Sequence, residues 1–276
     1  MNIAILTVEL NTHSGSRAPI ELARALSKLG HHISIIATSK NIQPQLVSQL
    51  QREKIGLFVF EGNILWSAYQ IARLLKHKPF DIISFHATFT FFLAARLSKL
   101  PLVRTYYGTQ LDAIKDIFFP HVNWFISLMN VLGNQYVLFI ERIMLGSSEK
   151  IISISKYTQK EVKQLYNLNA HYCYLGSPIS SPINKRIHRT ITILSVSRFV
   201  AYKRFHLLIT LFNTLEKKYP RLRLQIVGRK SSETYIQYLE SLAGRQTSIL
   251  TDVSDRQLTA IYQNADVYVT CDRYLF

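Results

Sequence analysis

Short apolar runs of strand length alternate with stretches of helical periodicity along this chain, and the alternation breaks once and then restarts. The first run, Ile3 to Val8, reads as a buried strand. The polar turn "NTHSGSRAP" follows, with Gly15 as its only glycine. Pro19 is expected in the first turn of the next helix, where its missing N–H costs least. Ala18, Leu22, Leu26 and Leu29 then recur at helical spacing, Gly30 ends the helix, and "HHISIIAT" is the second strand. Strand, helix and parallel strand, repeated, imply a parallel sheet covered by helices.

The same reading gives strands at "IGLFVF", "FDIISFH", "PLVRTYYG", "KIISIS" and "AHYCYLG". Helices are expected at 64–77, 88–99 and 156–166, with a long helical region before "KIISIS". The stretch 177–189, "SPISSPINKRIHR", reads as a linker. After it come strands at "TITILSVSRFV", "LRLQIVG", "TSIL" and "DVYVT", with helices at 204–218, 232–243 and 254–264. The expectation is an α/β chain of two Rossmann-like units facing across a cleft, 1–184 and 185–276. The second unit is short for a doubly wound domain.

Charge narrows the partners. Lys plus Arg number 33 against 17 Asp plus Glu, a net of +16. Between Lys185 and Lys230 there are twelve Lys/Arg and one acid, Glu216. Such a field favours phosphates or other anionic partners. Cys173 and Cys271 form no CxxC or Cys/His cluster, so neither a disulfide framework nor a zinc site is expected, and a reducing, cytoplasmic setting fits. The apolar start lacks a basic leader, and no run of 18 apolar residues occurs. No G-x-G-x-x-G follows a first strand of either unit, which argues against a dinucleotide enzyme. The basic residues lack interleaved aromatics at a module spacing, so no nucleic-acid partner is expected.

The sharpest local signal is "ILSVSRFVAYKRF". Arg198 and Lys203 fall in the loop leaving the first strand of the second unit. Ligands of open parallel sheets bind beyond the carboxyl ends of the strands. Guanidinium forks match phosphate oxygens, Lys adds a compact charge, and a helix starting near Arg204 would aim its first amides at the same spot.

"SVSRFVAYKRF", "LQIVGRK" and "DVSDRQLTAIYQNADVYV" resemble the three signature stretches of the donor domain of retaining GT-B glycosyltransferases, the family-four or group 1 type. The first half, from "IAILT" through "HSGSRAPIELARALSKLGH" to "SEKIISISKYTQKEV", is similar to the same family's acceptor domain. The resemblance implies a GT-B-like fold with an incomplete second sheet. It implies transfer of a hexose, with retained configuration, from a nucleotide-diphosphate sugar to a saccharide or lipid-linked acceptor. On it, Arg198 and Lys203 hold the diphosphate, Gly228 admits the nucleotide, Val253 and Ser254 contact the base, and Gly15 lies in a loop facing the cleft. The implied mechanism needs neither metal nor cofactor, since cations and helix N-termini stabilise the leaving diphosphate.

The chain departs from the family pattern at several positions. Ser197 and Arg204 stand where glycines are usual, Lys230 replaces the second glycine of the strand-end turn, and Tyr107 replaces a histidine before Gly108. The family's carboxylate pair would follow Phe276. This leaves a second expectation, a truncated and inactive glycosyltransferase-like protein. His86, at the end of "DIISF", and Asp112 are the catalytic candidates, against a structural histidine and a helix N-cap. The stretch 117–140 has no Asp, Glu, Lys or Arg and so is either buried or meets lipid. With the basic balance, it raises peripheral attachment to an anionic membrane surface as a further expectation.

Overall fold

The computed structural model describes residues 1–11, 14–38, 42–108, 124–176 and 190–271, with only the backbone for 14–15 and 124–132. The linker 177–189, Asp112 and the last residues "DRYLF" lie outside the described residues. The described residues fall into two compact units, 1–108 with 125–176, and 190–271.

The first unit is a seven-stranded sheet in the order β3-β2-β1-β4-β5-β6-β7. Its strands are β1 (Asn2–Thr7), β2 (His32–Thr38), β3 (Gly56–Phe60), β4 (Ile82–His86), β5 (Leu102–Tyr106), β6 (Lys150–Ser153) and β7 (His171–Tyr172). All pairs are parallel. Central β1 is buried from Ile3 to Thr7 because helices cover both faces, which is why it reads as an unbroken apolar run. Helices α1 (Ser14–Lys28) and α2 (Pro44–Arg52) pack over one core, through Ile20, Ala23, Leu46 and Leu50. Helices α3 (Ile64–His77), α4 (Phe89–Arg96) and α5 (Trp124–Gly146) share a second core of Ile71, Leu75, Phe91, Phe92 and Met144. A third cluster sets α6 (Lys156–Tyr166) on β5 and β6.

The second unit is a four-stranded parallel sheet, β10-β9-β8-β11. Its strands are β8 (Ile191–Val196), β9 (Leu222–Gly228), β10 (Thr247–Thr251) and β11 (Val267–Tyr268). Its helices are α7 (Phe205–Glu216), α8 (Glu233–Leu242) and α9 (Asp255–Asn264). Phe199, Phe205, Ile209, Phe212, Ile226 and Leu239 fill its core.

Several elements differ from the sequence reading. The loop assigned to Gly15 is helical: α1 starts at Ser14, so Gly15 is in its first turn and Pro19 sits inside the helix. The carbonyl that Pro19 deprives of a partner is Gly15's, near an end where helices fray, so the cost is smaller than mid-helix. Helix α2 was not expected, because only Leu46 and Leu50 of its glutamine-rich turns are buried. "AHYCYLG" and "DVYVT" shorten to two-residue edge strands, whose side chains are exposed. Gly30 ends α1 with φ 85°, as its position suggested. No helix among the described residues is long and apolar enough to cross a membrane.

Candidate functional site

In the second unit the loops after β8, β9 and β10 emerge on one edge, because the strands are parallel and in register: Val196 pairs with Val227, and Gly228 with Thr251. This carboxyl edge gathers Arg198, Lys203, Gly228, Val253 and Ser254.

The β8 exit loop is held at both ends. Its Ser197 N–H donates to the Val227 carbonyl at 3.0 Å and its Phe199 N–H to the Arg229 carbonyl at 3.2 Å. Phe199 and Phe205 are buried side by side, ring centroids 5.4 Å apart. Between them a single 3₁₀ turn, Ala201–Lys203, ends at Arg204, whose φ of 57° is left-handed. Glycine is the easy residue there, and the family pattern has glycine; Arg204 keeps the conformation at a steric cost of about 1–2 kcal/mol.

This short turn brings the two cations onto one tyrosine. The Arg198 Nη2 donates to the Tyr202 hydroxyl at 2.7 Å, and the Lys203 Nζ lies 5.4 Å from the Tyr202 ring centroid. Arg198 is exposed and has no carboxylate partner among the described residues. Tyr202 was not singled out from the sequence, although its position four after Arg198 and next to Lys203 carried the signal.

The other predicted residues have roles within the chain itself. A Cβ on Gly228 would run into the Ser197 carbonyl oxygen and approach Phe199 to 3.2 Å, so glycine lets β9 pass the β8 exit loop. Ser254 caps α9: its hydroxyl accepts from the Gln257 N–H at 3.3 Å, and Gln257 Oε1 accepts from the Ser254 N–H at 2.8 Å. Val253 precedes that cap, in the loop that opens with Asp252 at φ 53°. The first amides of α7 were expected to face a ligand. Instead, that of His206 donates at 3.4 Å to the hydroxyl of buried Tyr235. That hydroxyl is also 3.0 Å from His206 Nδ1, so its own proton has an acceptor there. Burial pushes the Tyr235 phenol up to about 12.

In the first unit the strand order reverses between β1 and β4, and His86 ends β4 opposite Thr7 of β1. That reversal is where open α/β sheets receive ligands. Ser84 and His86 are two apart on a strand and so share a face. The Ser84 Oγ lies 2.9 Å from His86 Nε2, and the Tyr107 hydroxyl 2.8 Å from His86 Nδ1. Both ring nitrogens are therefore committed to hydroxyls. Burial, with the positive Arg104 nearby, lowers the His86 pKa to about 3. The imidazole is neutral at physiological pH and poorly suited to general base work there. Burial likewise pushes the Tyr107 phenol up. Arg104 stacks over the Phe85 ring at 5.4 Å, and its buried Nε has no hydrogen-bond partner among the described residues. Ser84 and Tyr107 were missed as partners of His86. The strand period could have flagged Ser84; nothing in the sequence joins Tyr107 to a residue 21 positions away.

Comparison with known proteins gives this arrangement its context. Residues 16–176 match the family described as Glycosyltransferase Family 4, and 178–274 match Glycosyl transferases group 1. An uncharacterized glycosyltransferase of Haemophilus influenzae is 22% identical over 262 residues, covering 91% of this chain and 68% of the relative. Solved structures share the fold at low identity. An O-GlcNAc transferase mutant of Thermobaculum terrenum superposes with a TM-score of 0.58 at 13% identity, over 97% of this chain. This chain spans only 48% of that transferase. An alpha-glucosyltransferase in complex with UDP and a 13-mer DNA has a TM-score of 0.60 at 12% identity, with 100% of this chain and 73% of the other covered. Two parallel-sheet units with these neighbours are the GT-B architecture, and the chain belongs to the glycosyltransferases, Glycosyltransferase Family 4 over its first unit and the group 1 glycosyl transferases over its second.

Proposed function

We propose that the carboxyl edge of the second sheet binds the diphosphate of a nucleotide sugar, and that the protein transfers the hexose, with retention, to a saccharide or lipid-linked acceptor. The observation that carries this reading is the pair Arg198 and Lys203 around Tyr202, on a loop fixed by Phe199 and Phe205. In the reaction the bond from the anomeric carbon to the diphosphate oxygen breaks, a bond to the acceptor oxygen forms, and the acceptor's O–H proton passes to the departing diphosphate or to solvent. Negative charge grows on the departing diphosphate, which is where fixed cations lower the barrier most. Solved relatives of the same fold that carry UDP support this reading at the level of ligand class. The hydroxyls of Tyr107 and Ser84 beside a neutral His86 suit uncharged sugar hydroxyls, so the acceptor is assigned to the first unit.

Arg198→Ala and Lys203→Ala are each expected to weaken nucleoside-diphosphate binding by about 1–3 kcal/mol, the scale of a lost charge-assisted contact. Calorimetry with a nucleoside diphosphate and with the bare nucleoside checks this. Equal losses for both ligands would move the two residues from phosphate binding to folding and overturn the reading.

A second reading, donor binding without turnover, is favoured by one observation. Asp252 and Glu233, carboxylates at the same edge, are both engaged with Lys230. Sugar transfer to any acceptor by the purified chain would exclude it.

A further inference from the structure

On the face of the first sheet covered by α3, α4 and α5, each helix turns large apolar side chains outward. Helix α3 exposes Leu65, Trp66 and Tyr69, α4 exposes Leu93 with Leu97 just after it, and α5 exposes Tyr136, Phe139 and Ile143. Leu65 is 73% exposed, Leu97 72% and Phe139 61%, more than half-burial can explain. The spacings are helical: Leu65 and Tyr69 are four apart, and Tyr136, Phe139 and Ile143 fall at i, i+3 and i+7. The three helices are neighbours, since Ile71, Phe92 and Met144 from their inner sides share one core. Trp66 and Tyr69 stack at 5.4 Å with their planes 25° apart, two amphipathic rings side by side.

Charge on the outer surfaces of these helices is mainly basic, with exposed Glu61 just before α3 as a counter-charge. Arg73 and Lys76 continue the outer stripe of α3, Lys99 follows α4, and Arg142 lies between Phe139 and Ile143 on α5, all exposed. Helices α3 and α4 contain no acidic residue. The one acid of α5, Glu141, turns inward to accept from the Tyr166 hydroxyl. The acid that follows, Glu149, is paired with Arg96 at 3.0 Å. On the opposite face, α1 and α2 expose no large apolar side chain among their described residues, and only Leu29, just after α1, is exposed beside them. They carry the ion pairs of Arg24 with Glu21 and Glu53 instead. An exposed apolar face of this extent marks an interaction surface. Its aromatic pair, leucines and mainly basic rim match the boundary of an anionic bilayer, where rings and leucines enter the interface and cations meet headgroups.

We infer that the outer face of α3, α4 and α5 docks the protein on an anionic lipid surface. This deepens the lipid-linked acceptor reading and rests on it for its purpose, but its test needs no sugar donor. It also moves the contact from the middle of the charge-free stretch 117–140 to side chains spread over three helices.

The test is co-sedimentation of the full chain with vesicles of phosphatidylcholine alone or mixed with phosphatidylglycerol. It is joined to the emission of Trp66 in a Trp124→Phe background, which leaves one tryptophan. Binding is expected only with phosphatidylglycerol, with a blue shift of Trp66 and release by salt. Leu65→Asp and Leu97→Asp should each weaken it roughly tenfold through lost apolar insertion. Arg73→Glu with Lys76→Glu should weaken it by at least about tenfold, at about a factor of five per cation removed near the surface. Unchanged circular dichroism and nucleoside-diphosphate binding show that the variants are folded. Sedimentation indifferent to lipid charge, or variants that bind like the parent, would overturn the inference. So would a Trp66 shift that follows protein concentration rather than lipid, which would assign the face to a second copy of the chain.

Discussion

The two sheets of this chain end in opposite chemistry. The carboxyl edge of the first, where β1 and β4 diverge, presents hydroxyls around a neutral imidazole: Ser84, His86 and Tyr107. The carboxyl edge of the second presents cations on one tyrosine: Arg198 and Lys203 on Tyr202. The first group is partly buried, and desolvation holds its imidazole neutral; Arg198 of the second is exposed. Similar parallel scaffolds thus offer one edge suited to sugar hydroxyls and one suited to phosphate. The difference lies in the loops, since the strands of both are apolar and interchangeable in kind.

The comparison breaks most severely at Gly228. An alanine there puts a Cβ on the Ser197 carbonyl, and backbone cannot yield as a side-chain tip can. Gly228→Ala should destabilise the second unit by about 3 kcal/mol, the upper range for overpacking, and shift the loop that carries Arg198. Amide hydrogen exchange over β8 and β9 reads it directly. Native protection of those strands in the variant would show that the loop bends away at little cost, and that the glycine is kept for another reason.

His86 sharpens the comparison from the other side. Its pKa is lowered from 6.5 to about 3, so the native state refuses a proton that the unfolded chain takes up. Stability is therefore fully present above about pH 6.5 and falls as pH drops towards 3, by at most about 1.4 kcal/mol per pH unit. His86→Gln should remove that slope between about pH 6 and 4, whatever it does to stability at neutral pH. Urea midpoints at several pH values decide it; an unaltered slope would mean that other groups carry the acid sensitivity.

The sequence showed the elements whose pattern is set by burial. The helix at 64–77 and the strand at 222–228 match the periodicity residue for residue, because Ile71 and Leu75, and Leu224 and Ile226, face a core. The misses are elements with little to bury. Helix α2 has only two buried leucines, and β7 and β11 lie at sheet edges where no neighbour extends them. That Arg198 and Lys203 share one loop could be read from the sequence because that loop is local, eight residues from Val196 to Lys203. The Ser84–His86–Tyr107 set, the Tyr235 hydroxyl on α7 and the three-helix apolar face were not. They join side chains that only the crossovers between parallel strands bring together. Gly228 and Ser254 were singled out for a nucleotide, but the sequence alone could not reveal that one also clears a carbonyl and the other also caps a helix.

The finest test of the contrast is Arg204. It holds a left-handed conformation, φ 57° and ψ 31°, at the hinge between the 3₁₀ turn and α7. An L-residue with a long side chain pays about 1–2 kcal/mol there. Glycine escapes that strain but gains freedom in the unfolded chain, worth about 0.5–1 kcal/mol. The two effects oppose, and the steric one is the larger, so Arg204→Gly should stabilise the second unit by about 0.5–1 kcal/mol. The same change removes one half-buried positive charge beside Lys203, so affinity for a nucleoside diphosphate should fall modestly, by about 0.5–1 kcal/mol. Stability and binding then move in opposite directions, which separates this substitution from one that merely loosens the loop. If both improve, the arginine contributes nothing to phosphate attraction and the cationic character of the edge rests on Arg198 and Lys203. If both fall, the Arg204 side chain holds the turn in a way that outweighs its backbone strain.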